Sequence, residues 1–504
     1  MKLSMPNLIP RLCTLAIFAV LGARADVTLP AVLADHMMIQ RGFPVHVWGK
    51  AAEGESVSVT FRGNTRSTTA DSIGLWSVYL PPGEAGGPFE LNIKGNNRIT
   101  LKDVLVGDVW VASGQSNMEF QVKEGINAQA EIAGADHPRI RLFHVKNKAG
   151  HYPFADIAAE PWTSCTPESV SGFSAVAYFF GRHLHEKLGV PIGLIETSWG
   201  GTPAEAWTSL RALSADASLM PVFASWAKMN DDAVTHQLQR EKELNAWRRA
   251  ADRAKTEGKE PPDFPWEPNM ENSWMPSGLY NAMIAPLTRL PIKGAIWYQG
   301  ESNASSERAS LYAHLFETMI QDWRHSWGQG DFPFLFVQLA NFKTDPDARW
   351  PELRDAQRQT LALANTGMAV TIDIGNRDDI HPKNKQDVGL RLALAARAIA
   401  YGEKIEYSGP LFRQATPEGH AMRIWFDHTD AGLTAKGGAL TGFEIAGADH
   451  KFVPARATID GATVVVSSAE IAAPASVRYA WSADPHGNLY NADGLPASPF
   501  RSGE

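Results

Sequence analysis

The stretch VLVGDVWVASGQSNM, residues 104–118, decides how this chain folds. Its first ten residues form an apolar run of the kind found in strands that are buried on both faces of a sheet. The residues GQSNM follow at once, and they are typical of a turn that leads into a helix. Because ligands bind at the carboxyl ends of the strands in open α/β sheets, we expect Ser116 to lie at a functional edge.

Outward from this stretch, apolar runs alternate with segments of helical spacing as far as residue 402. The runs predicted as strands are VPIGLIETS (190–198), IKGAIWYQ (292–299), FPFLFVQLA (332–340) and MAVTIDIG (368–375). The segments predicted as helices are SAVAYFFGRHLHEKLG (174–189), GLYNAMIAPLTRL (278–290), LYAHLFETMIQDWRHSW (311–327), ELRDAQRQTLALANTG (352–367) and NKQDVGLRLALAARAIAYG (384–402). This alternation predicts βαβ units, and therefore an α/β fold with a parallel sheet covered on both faces.

The regions on either side of this core read as β-structure. Residues 26–105 contain short alternating runs such as PVHVWGK and SVSVTFRG, which predict a small N-terminal β-sandwich domain. Residues 403–504 carry AMRIWFDH, ATVVVSS and ASVRYAWS, which predict a C-terminal β-rich domain. The catalytic α/β domain is then expected over residues 106–402.

A charged insertion interrupts the α/β rhythm over residues 222–270. Its segment QREKELNAWRRAADRAKTEGKEPPD is predicted to be helical and to end in a proline-rich loop. Such a run of charges ordinarily forms a solvated face. A lid over the active site is the functional alternative.

The N-terminus, residues 1–25, has the pattern of a secretory signal peptide. Two cations precede an apolar run from Leu12 to Leu21, and Ala23-Arg24-Ala25 fits the small-x-small cleavage site. Cleavage there would remove three cations and no acids, so the net charge would fall from −8 to −11. We therefore expect an exported protein, periplasmic or secreted by a bacterium, with no membrane anchor after cleavage.

Composition and cysteine content narrow the class of protein further. With 44% hydrophobic and 20% charged residues the chain reads as globular, and its negative charge does not favour nucleic acid or an anionic membrane as a partner. Cys13 would leave with the signal peptide. The remaining Cys165 then has no partner for an intramolecular disulfide.

Four polar segments, three of which contain glycine, follow predicted strands and should share one edge of the sheet. They are GQSNM (114–118), WGGTPAEAW (199–207), GESNA (300–304) and NRDDIHPKNK (376–385). Each has an ordinary structural interpretation, such as a helix-capping serine or a tight glycine turn. Their meeting on one edge is what favours a catalytic interpretation.

Together these segments contain the residue types of an acyl-transfer site. Ser116 is the candidate nucleophile and His381 the candidate general base. The carboxylate that orients the histidine is expected to be Asp378 or Asp379, with Glu301 as the next candidate. The oxyanion needs fixed donors, for which the candidates are the backbone N–H groups of Ser116 and Gly201 and the side-chain amides of Gln299 and Asn303. Aromatic side chains near the segments could stack on a sugar or simply pack the core; these are Trp199, Trp207, Trp274 and Tyr298.

The strings GQSNM, SWGGTPAEAW, WYQGESNA and DIHPKNKQDVGLRLA resemble the sialate O-acetylesterase family of SGNH, or GDSL-type, hydrolases. The flanks MMIQRGFPVHVWGKAAEGESVSVTF and VRYAWSADPHGNLYNADGLPASPFR are similar to the same family, so the resemblance covers nearly all of the mature chain. It implies a flavodoxin-like α/β/α hydrolase that removes acetyl groups from sugars without a metal or organic cofactor. It implies Ser116 as nucleophile, His381 as base, and Gly201 with the QGES segment as the oxyanion site.

Two alternatives stay open at this point. The same chemistry would serve an esterase of acetylated xylan or another plant polysaccharide, and the two β-rich domains would also fit a non-catalytic carbohydrate-binding protein. A metal site is not favoured, because His183 and His185 lie two residues apart on a predicted helix and point to different faces. The expected partner is an O-acetylated carbohydrate.

Overall fold

A computed structural model describes residues 26–262, 264, 273–345 and 347–503 of the chain. The predicted signal peptide, residues 1–25, lies outside this range, and Cys13 lies there with it. Cys165 is a buried free thiol. Across the described ranges no helix is both long enough and apolar enough to cross a membrane.

The N-terminal region consists of strands joined by turns, which confirms the β-structure predicted for residues 26–105. In β3 the residues alternate between the solvent and the core, so that Val57 and Val59 are fully buried. One sheet contains β1, β3, β4, β6 and β7, and β2 pairs with β5 in a second sheet. The strands are β1 (Met38–Gln40), β2 (Val45–Lys50), β3 (Ser56–Phe61), β4 (Asn64–Thr69), β5 (Leu75–Leu80), β6 (Gly86–Lys94) and β7 (Arg98–Gly114).

Strand β7 joins the N-terminal region to the α/β core. It is 17 residues long, and its first part pairs with β6 in antiparallel register. From Asp108 to Gly114 the same strand pairs with strands of the central sheet in parallel register. The boundary expected at residues 105–106 therefore falls inside one continuous strand, and the division into domains stays a prediction.

The central sheet contains the buried strands predicted from the apolar runs. Its order is β13-β12-β11-β7-β10-β8-β9, and neighbouring strands are parallel except for β9, which runs antiparallel to β8. The additional strands are β8 (His137–His144), β9 (Thr163–Cys165), β10 (Ile192–Ser198), β11 (Gly294–Tyr298), β12 (Phe334–Val337) and β13 (Thr366–Ala369). The chain thus has the mixed α/β core that the alternation predicted.

Helices connect these strands, in agreement with four of the five predicted segments. The α-helices are α1 (Ser116–Glu119), α2 (Ala128–Ala133), α3 (Pro167–Ser171), α4 (Ala175–Leu188), α5 (Leu210–Ser214), α6 (Met220–Asp231), α7 (Ala233–Thr256), α8 (Ala309–Trp327), α9 (Trp350–Gln359) and α10 (Lys385–Ile399). Short 3₁₀ segments cover Val122–Glu124, Ala204–Trp207, Ala217–Leu219, Ala285–Leu287, Glu301–Asn303 and Thr360–Ala362.

Two predicted elements differ from the structure. The segment GLYNAMIAPLTRL forms a π-helical turn, Tyr280–Ile284, and then a 3₁₀ turn instead of a regular α-helix. Pro286 has no N–H group for an α-helical hydrogen bond, which accounts for the change. The strand predicted over MAVTIDIG ends at Ala369, beyond which the Thr371 hydroxyl donates to the Gln338 carbonyl at 2.6 Å.

The insertion forms helices α6 and α7, as its sequence predicted. In α7 most of the described side chains are exposed, and Leu238 has 56% of its surface accessible. This agrees with the interpretation of the charges as a solvated face. The lid remains a prediction.

The C-terminal region is built from strands, as expected for residues 403–504. Its largest units are two four-stranded sheets, β14-β15-β20-β19 and β18-β17-β21-β23. The strands are β14 (Leu411–Glu418), β15 (Ala421–Asp427), β16 (Leu433–Ala435), β17 (Phe443–Ala446), β18 (Val453–Pro454), β19 (Arg456–Asp460), β20 (Thr463–Ser467), β21 (Ser476–Tyr479), β22 (Leu489–Asn491) and β23 (Phe500–Arg501).

Gly114, at the end of β7, should not tolerate a side chain. Its φ is +139°, and a Cβ atom there would lie 2.1 Å from the carbonyl oxygen of Tyr298. We expect Gly114→Ala to lower the free energy of unfolding by about 1–3 kcal/mol, measured by urea denaturation. Gly172→Ala is the control, because a Cβ at that position has no atom within 4 Å. Equal losses in the two variants would contradict the prediction.

Candidate active site

Ser116 lies at the first turn of α1, but it does not cap that helix. The N-cap position belongs to Gln115, whose side chain makes no capping hydrogen bond. The Ser116 hydroxyl oxygen instead lies 2.9 Å from Nε2 of His381, across a separation of 265 residues in the chain. The structure therefore brings together the predicted nucleophile and the predicted base.

His381 is held by its neighbour Asp379. The Oδ1 atom of Asp379 accepts the backbone N–H of His381 at 2.8 Å and lies 4.0 Å from the ring atom Nδ1. Asp378 is exposed, and its backbone N–H donates to the side chain of Asn376 at 3.0 Å. Of these two aspartates, the structure places Asp379 beside the imidazole.

The pKa of His381 is lowered from its ordinary value. The main cause is burial, followed by the positive charge of Lys385, while Asp379 and Glu124 act in the opposite direction. A lowered pKa keeps the imidazole neutral near neutral pH, and only the neutral ring can accept a proton.

Glu301 takes part in a buried network around Asn117 rather than in a bond to His381. The Asn117 side-chain amide donates to Oε1 of Glu301 at 2.7 Å and to the backbone carbonyl of Ile380 at 3.0 Å. Its Oδ1 atom accepts a hydrogen bond from Lys385 at 2.5 Å. Asn117 thus links the helix of Ser116 to the loop of His381 and to the turn that contains Glu301.

Burial shifts the pKa values of two charged groups in this network, Lys385 and Glu301. Burial lowers the pKa of Lys385 to about 7, although nearby carboxylates including Glu301 oppose the change. Burial raises the pKa of Glu301, against the hydrogen bond from Asn117 and the charge of Lys385. The Oε2 atom of Glu301 is buried and has no hydrogen-bond partner among the described residues.

Two backbone N–H groups near Ser116 are available as donors. Ser116 itself begins α1, so its N–H group has no acceptor within the helix. Gly201 lies in a turn with φ +72°, and in the described part of the chain its N–H group has no acceptor. These are the two backbone donors that the sequence predicted for an oxyanion.

The predicted side-chain donors, Gln299 and Asn303, are instead committed to structural bonds. Both are buried, and the amide of Gln299 donates to Thr202 O at 3.2 Å and to Asn303 Oδ1 at 2.7 Å. The amide of Asn303 donates to Glu205 at 2.9 Å, and its oxygen also accepts the N–H of Ala204. Both amide hydrogens of Gln299 are thus engaged, which corrects its prediction as an oxyanion donor. Asn303 donates one of its two amide hydrogens to Glu205, and its role as an oxyanion donor stays a prediction.

The predicted aromatic contacts divide between core and rim. Trp207 and Tyr298 are completely buried, so the prediction that they stack on a sugar is wrong. Trp199 is partly exposed. Trp274 is also partly exposed, and its indole N–H donates to the carbonyl of Gly201 at 2.6 Å.

Sequence reasoning missed three residues that shape this site: Asn117, Glu119 and Lys385. Asn117 and Lys385 stand inside quoted motifs and Glu119 directly follows one, so the motif spacing was the available signal. Their roles were not visible because each side chain acts on a loop distant in sequence. The described residues also contain no group of three or more His, Cys, Asp or Glu side chains arranged to hold a metal ion.

Comparison with known proteins identifies relatives of this chain. Residues 106–220 and 267–400 match the model of a family described as carbohydrate esterase, sialic acid-specific acetylesterase. The sialate O-acetylesterase of Rattus norvegicus is 33% identical, with 95% of each chain covered. The sialate O-acetylesterase of Homo sapiens is 35% identical over 72% of this chain and 69% of its own length.

A solved structure is similar over almost the whole chain. A carbohydrate acetylesterase from Xanthomonas citri superposes with a TM-score of 0.82 and 40% sequence identity. The match covers 95% of this chain and 99% of the other. The similarity therefore includes both β-rich regions as well as the α/β core.

Lys385→Met should raise the pKa of His381, because it removes a buried positive charge that disfavours the imidazolium. We expect the acid limb of the pH profile of kcat/KM, measured on an aryl acetate, to move to higher pH by roughly 0.5–1 unit. The position of the limb does not depend on how much enzyme is folded. Lys383→Met is the control, because that lysine is exposed. An unmoved limb in Lys385→Met would contradict the assignment.

Proposed function

Because the chain belongs to the family of sialic acid-specific carbohydrate acetylesterases, we propose that it hydrolyses O-acetyl esters of sialic acid through an acetyl-enzyme on Ser116. The chain is a carboxylic ester hydrolase, as its relatives are. The observation that carries the proposal is the 2.9 Å contact between the Ser116 hydroxyl and Nε2 of His381. It is the geometry that nucleophilic catalysis by serine requires.

In the first half-reaction, His381 takes the hydroxyl proton while Oγ of Ser116 adds to the acetyl carbonyl carbon. The tetrahedral intermediate collapses, the bond to the sugar oxygen breaks, and that oxygen leaves with the proton from His381. In the second half-reaction, His381 deprotonates a water molecule, which attacks the acetyl-serine. Acetate leaves, and Ser116 regains its proton.

The negative charge of each intermediate is stabilised by backbone N–H groups. Ser116 and Gly201 supply them, since both groups are unengaged among the described residues. Fixed donors of this kind stabilise the transition state more than the ground state. Gln299 acts indirectly, by shaping the turn on which Gly201 lies, and the second amide hydrogen of Asn303 is a further candidate donor.

Asp379 is the best-placed carboxylate to orient His381. Its 4.0 Å separation from Nδ1 is longer than a hydrogen bond, so it acts mainly through charge and through its bond to the His381 backbone. The same architecture supports an SGNH-type core, in which serine and histidine follow strands of one parallel sheet. Trp199 and Trp274 are proposed to line the sugar site at its rim.

The role of the flanking regions follows from the same proposal. We propose residues 26–105 and 403–504 as domains that brace the catalytic core of residues 106–402. The signal-peptide pattern of residues 1–25 supports export to the periplasm or the exterior. An O-acetylated glycan is the expected partner.

Ser116→Ala should abolish acetate release, because no other hydroxyl in the described chain contacts His381. We expect kcat to fall by on the order of 10⁴-fold or more. The measurement is acetate release from O-acetyl sialic acid, acetylated xylan and an aryl acetate, by the unchanged enzyme and the variant. A preference for xylan would replace the proposed substrate with the plant-polysaccharide alternative. Glycan binding without acetate release would support a binding protein instead.

Asp379→Asn should lower kcat by roughly 10–100-fold, less than for a triad carboxylate in full hydrogen-bond contact. Asp378→Asn is the matched control, since that side chain is exposed and apart from the ring. Normal activity in Asp379→Asn would indicate a Ser–His dyad. A larger loss in Asp378→Asn would reverse the assignment.

A further inference from the structure

Glu119 connects the nucleophile's helix to the glycine turn that supplies an oxyanion donor. It is the last residue of α1, one turn beyond Ser116. Its Oε2 atom accepts the backbone N–H of Gly200 at 2.7 Å. Its Oε1 atom accepts the side-chain amide of Asn147 at 3.2 Å, from the loop that follows β8.

Gly200 is packed tightly between Glu119 and Ser116. A Cβ atom at Gly200 would lie 2.9 Å from Oε2 of Glu119 and 3.3 Å from Cβ of Ser116. The turn is therefore close enough to Ser116 for small rotations of its peptides to change where its N–H groups point. An anchor on the Gly200 N–H group limits such rotation.

The next part of the turn is anchored from the other side. The carbonyl of Gly201 accepts the indole N–H of Trp274 at 2.6 Å. The peptide group between Gly200 and Gly201 carries the Gly201 N–H. It thus lies between two hydrogen-bonded groups, the Gly200 N–H and the Gly201 carbonyl. Without Glu119 the Gly200 N–H group would lose its acceptor, and the turn would keep the Trp274 bond and the 2.7 Å bond from the Thr202 hydroxyl to the Trp199 carbonyl.

The surroundings hold the Glu119 side chain in place. Glu196, within β10, accepts a hydrogen bond from the Ser198 hydroxyl and pairs with His144. The pKa of Glu119 is raised, mainly by burial and also by the charge of Glu196. The hydrogen bonds from Asn147 and Gly200 and the charge of His144 act in the opposite direction. The carboxylate is therefore tied into the ends of β8 and β10, beside the predicted reaction site.

We propose that Glu119 is a positioning residue for the oxyanion site: by binding the Gly200 N–H group, it holds the Gly201 N–H group toward Ser116. The inference rests on the proposed function, because it takes Ser116 as the nucleophile. It also explains why Gly200 supplies no second oxyanion donor from this turn. Its own N–H group is already engaged.

The test compares Glu119→Ala, Glu119→Asp and Glu119→Gln, with kcat and KM measured on an aryl acetate. Alanine removes the acceptor, and aspartate keeps the charge but withdraws the carboxylate by one methylene. Both should lower kcat by roughly 10–100-fold and change KM by less than about threefold. Glutamine keeps an acceptor oxygen at the same reach, so it should retain kcat within about fivefold of the unchanged enzyme.

Two controls separate this inference from other effects. Glu168→Ala removes an exposed glutamate of α3 and should leave kcat unchanged. Melting temperatures of all variants, with assays run well below them, separate lost positioning from lost folding. Glu119→Asp serves as the second variant if alanine prevents folding.

The outcomes decide between the two proposals. If Ser116→Ala is inactive, a normal kcat in both Glu119→Ala and Glu119→Asp would overturn the positioning role. If Glu119→Ala does not fold, a normal kcat in Glu119→Asp alone would overturn it. A loss in Glu119→Gln as large as in Glu119→Asp would also overturn it, because acceptor geometry would then not matter. A rise in KM at constant kcat would point to a substrate contact instead. Activity in Ser116→Ala would overturn the proposed function itself.

Discussion

The pairing of β7 with strands on both of its sides is the constraint on which the site depends. The strand pairs through backbone hydrogen bonds with β10 on one side and with β11 on the other, as far as Gly114. At that point the Gly114 carbonyl accepts the N–H of Trp199, and the next residue, Gln115, donates to the carbonyl of Tyr298. The turns that follow three strands therefore begin at one place. Any side chain at Gly114 would collide with Tyr298, so the backbones can meet there only because this residue is glycine.

Buried polar bonds then fix the contents of these turns. Asn117 contacts Glu301, Lys385 and the backbone beside His381, so a single amide sets the distance between nucleophile, base and neighbouring turn. Removing these polar groups from water costs free energy, and hydrogen bonds between the groups offset that cost. The same burial keeps the pKa of His381 low, as a general base at neutral pH requires. Glu119 extends this arrangement to the glycine turn.

The β-rich regions are bonded to the α/β core by hydrogen bonds from arginine side chains. The fully buried Arg354 of α9 donates to the carbonyls of Ser482 and Ala483 at 2.7 and 2.8 Å. At the N-terminal side, Arg41 donates to both oxygens of Asp108 on β7, and the Tyr401 hydroxyl donates to the same carboxylate at 2.9 Å. These bonds satisfy groups that would otherwise be buried without partners. They support a bracing role for both regions.

Local pattern alone determined much of this protein. Apolar runs and helical spacing predicted the strands and most helices, and the polar residues after each run identified Ser116, Gly201 and His381, because strand ends in a parallel sheet share an edge. Only the tertiary structure decided which neighbours these residues have. It placed Asp379 rather than Asp378 beside the imidazole, committed Gln299 and Asn303 to structural bonds, and buried Trp207 and Tyr298 in the core. Hydrogen-bond partners and burial depend on contacts between segments up to hundreds of residues apart, and sequence periodicity carries no record of those contacts.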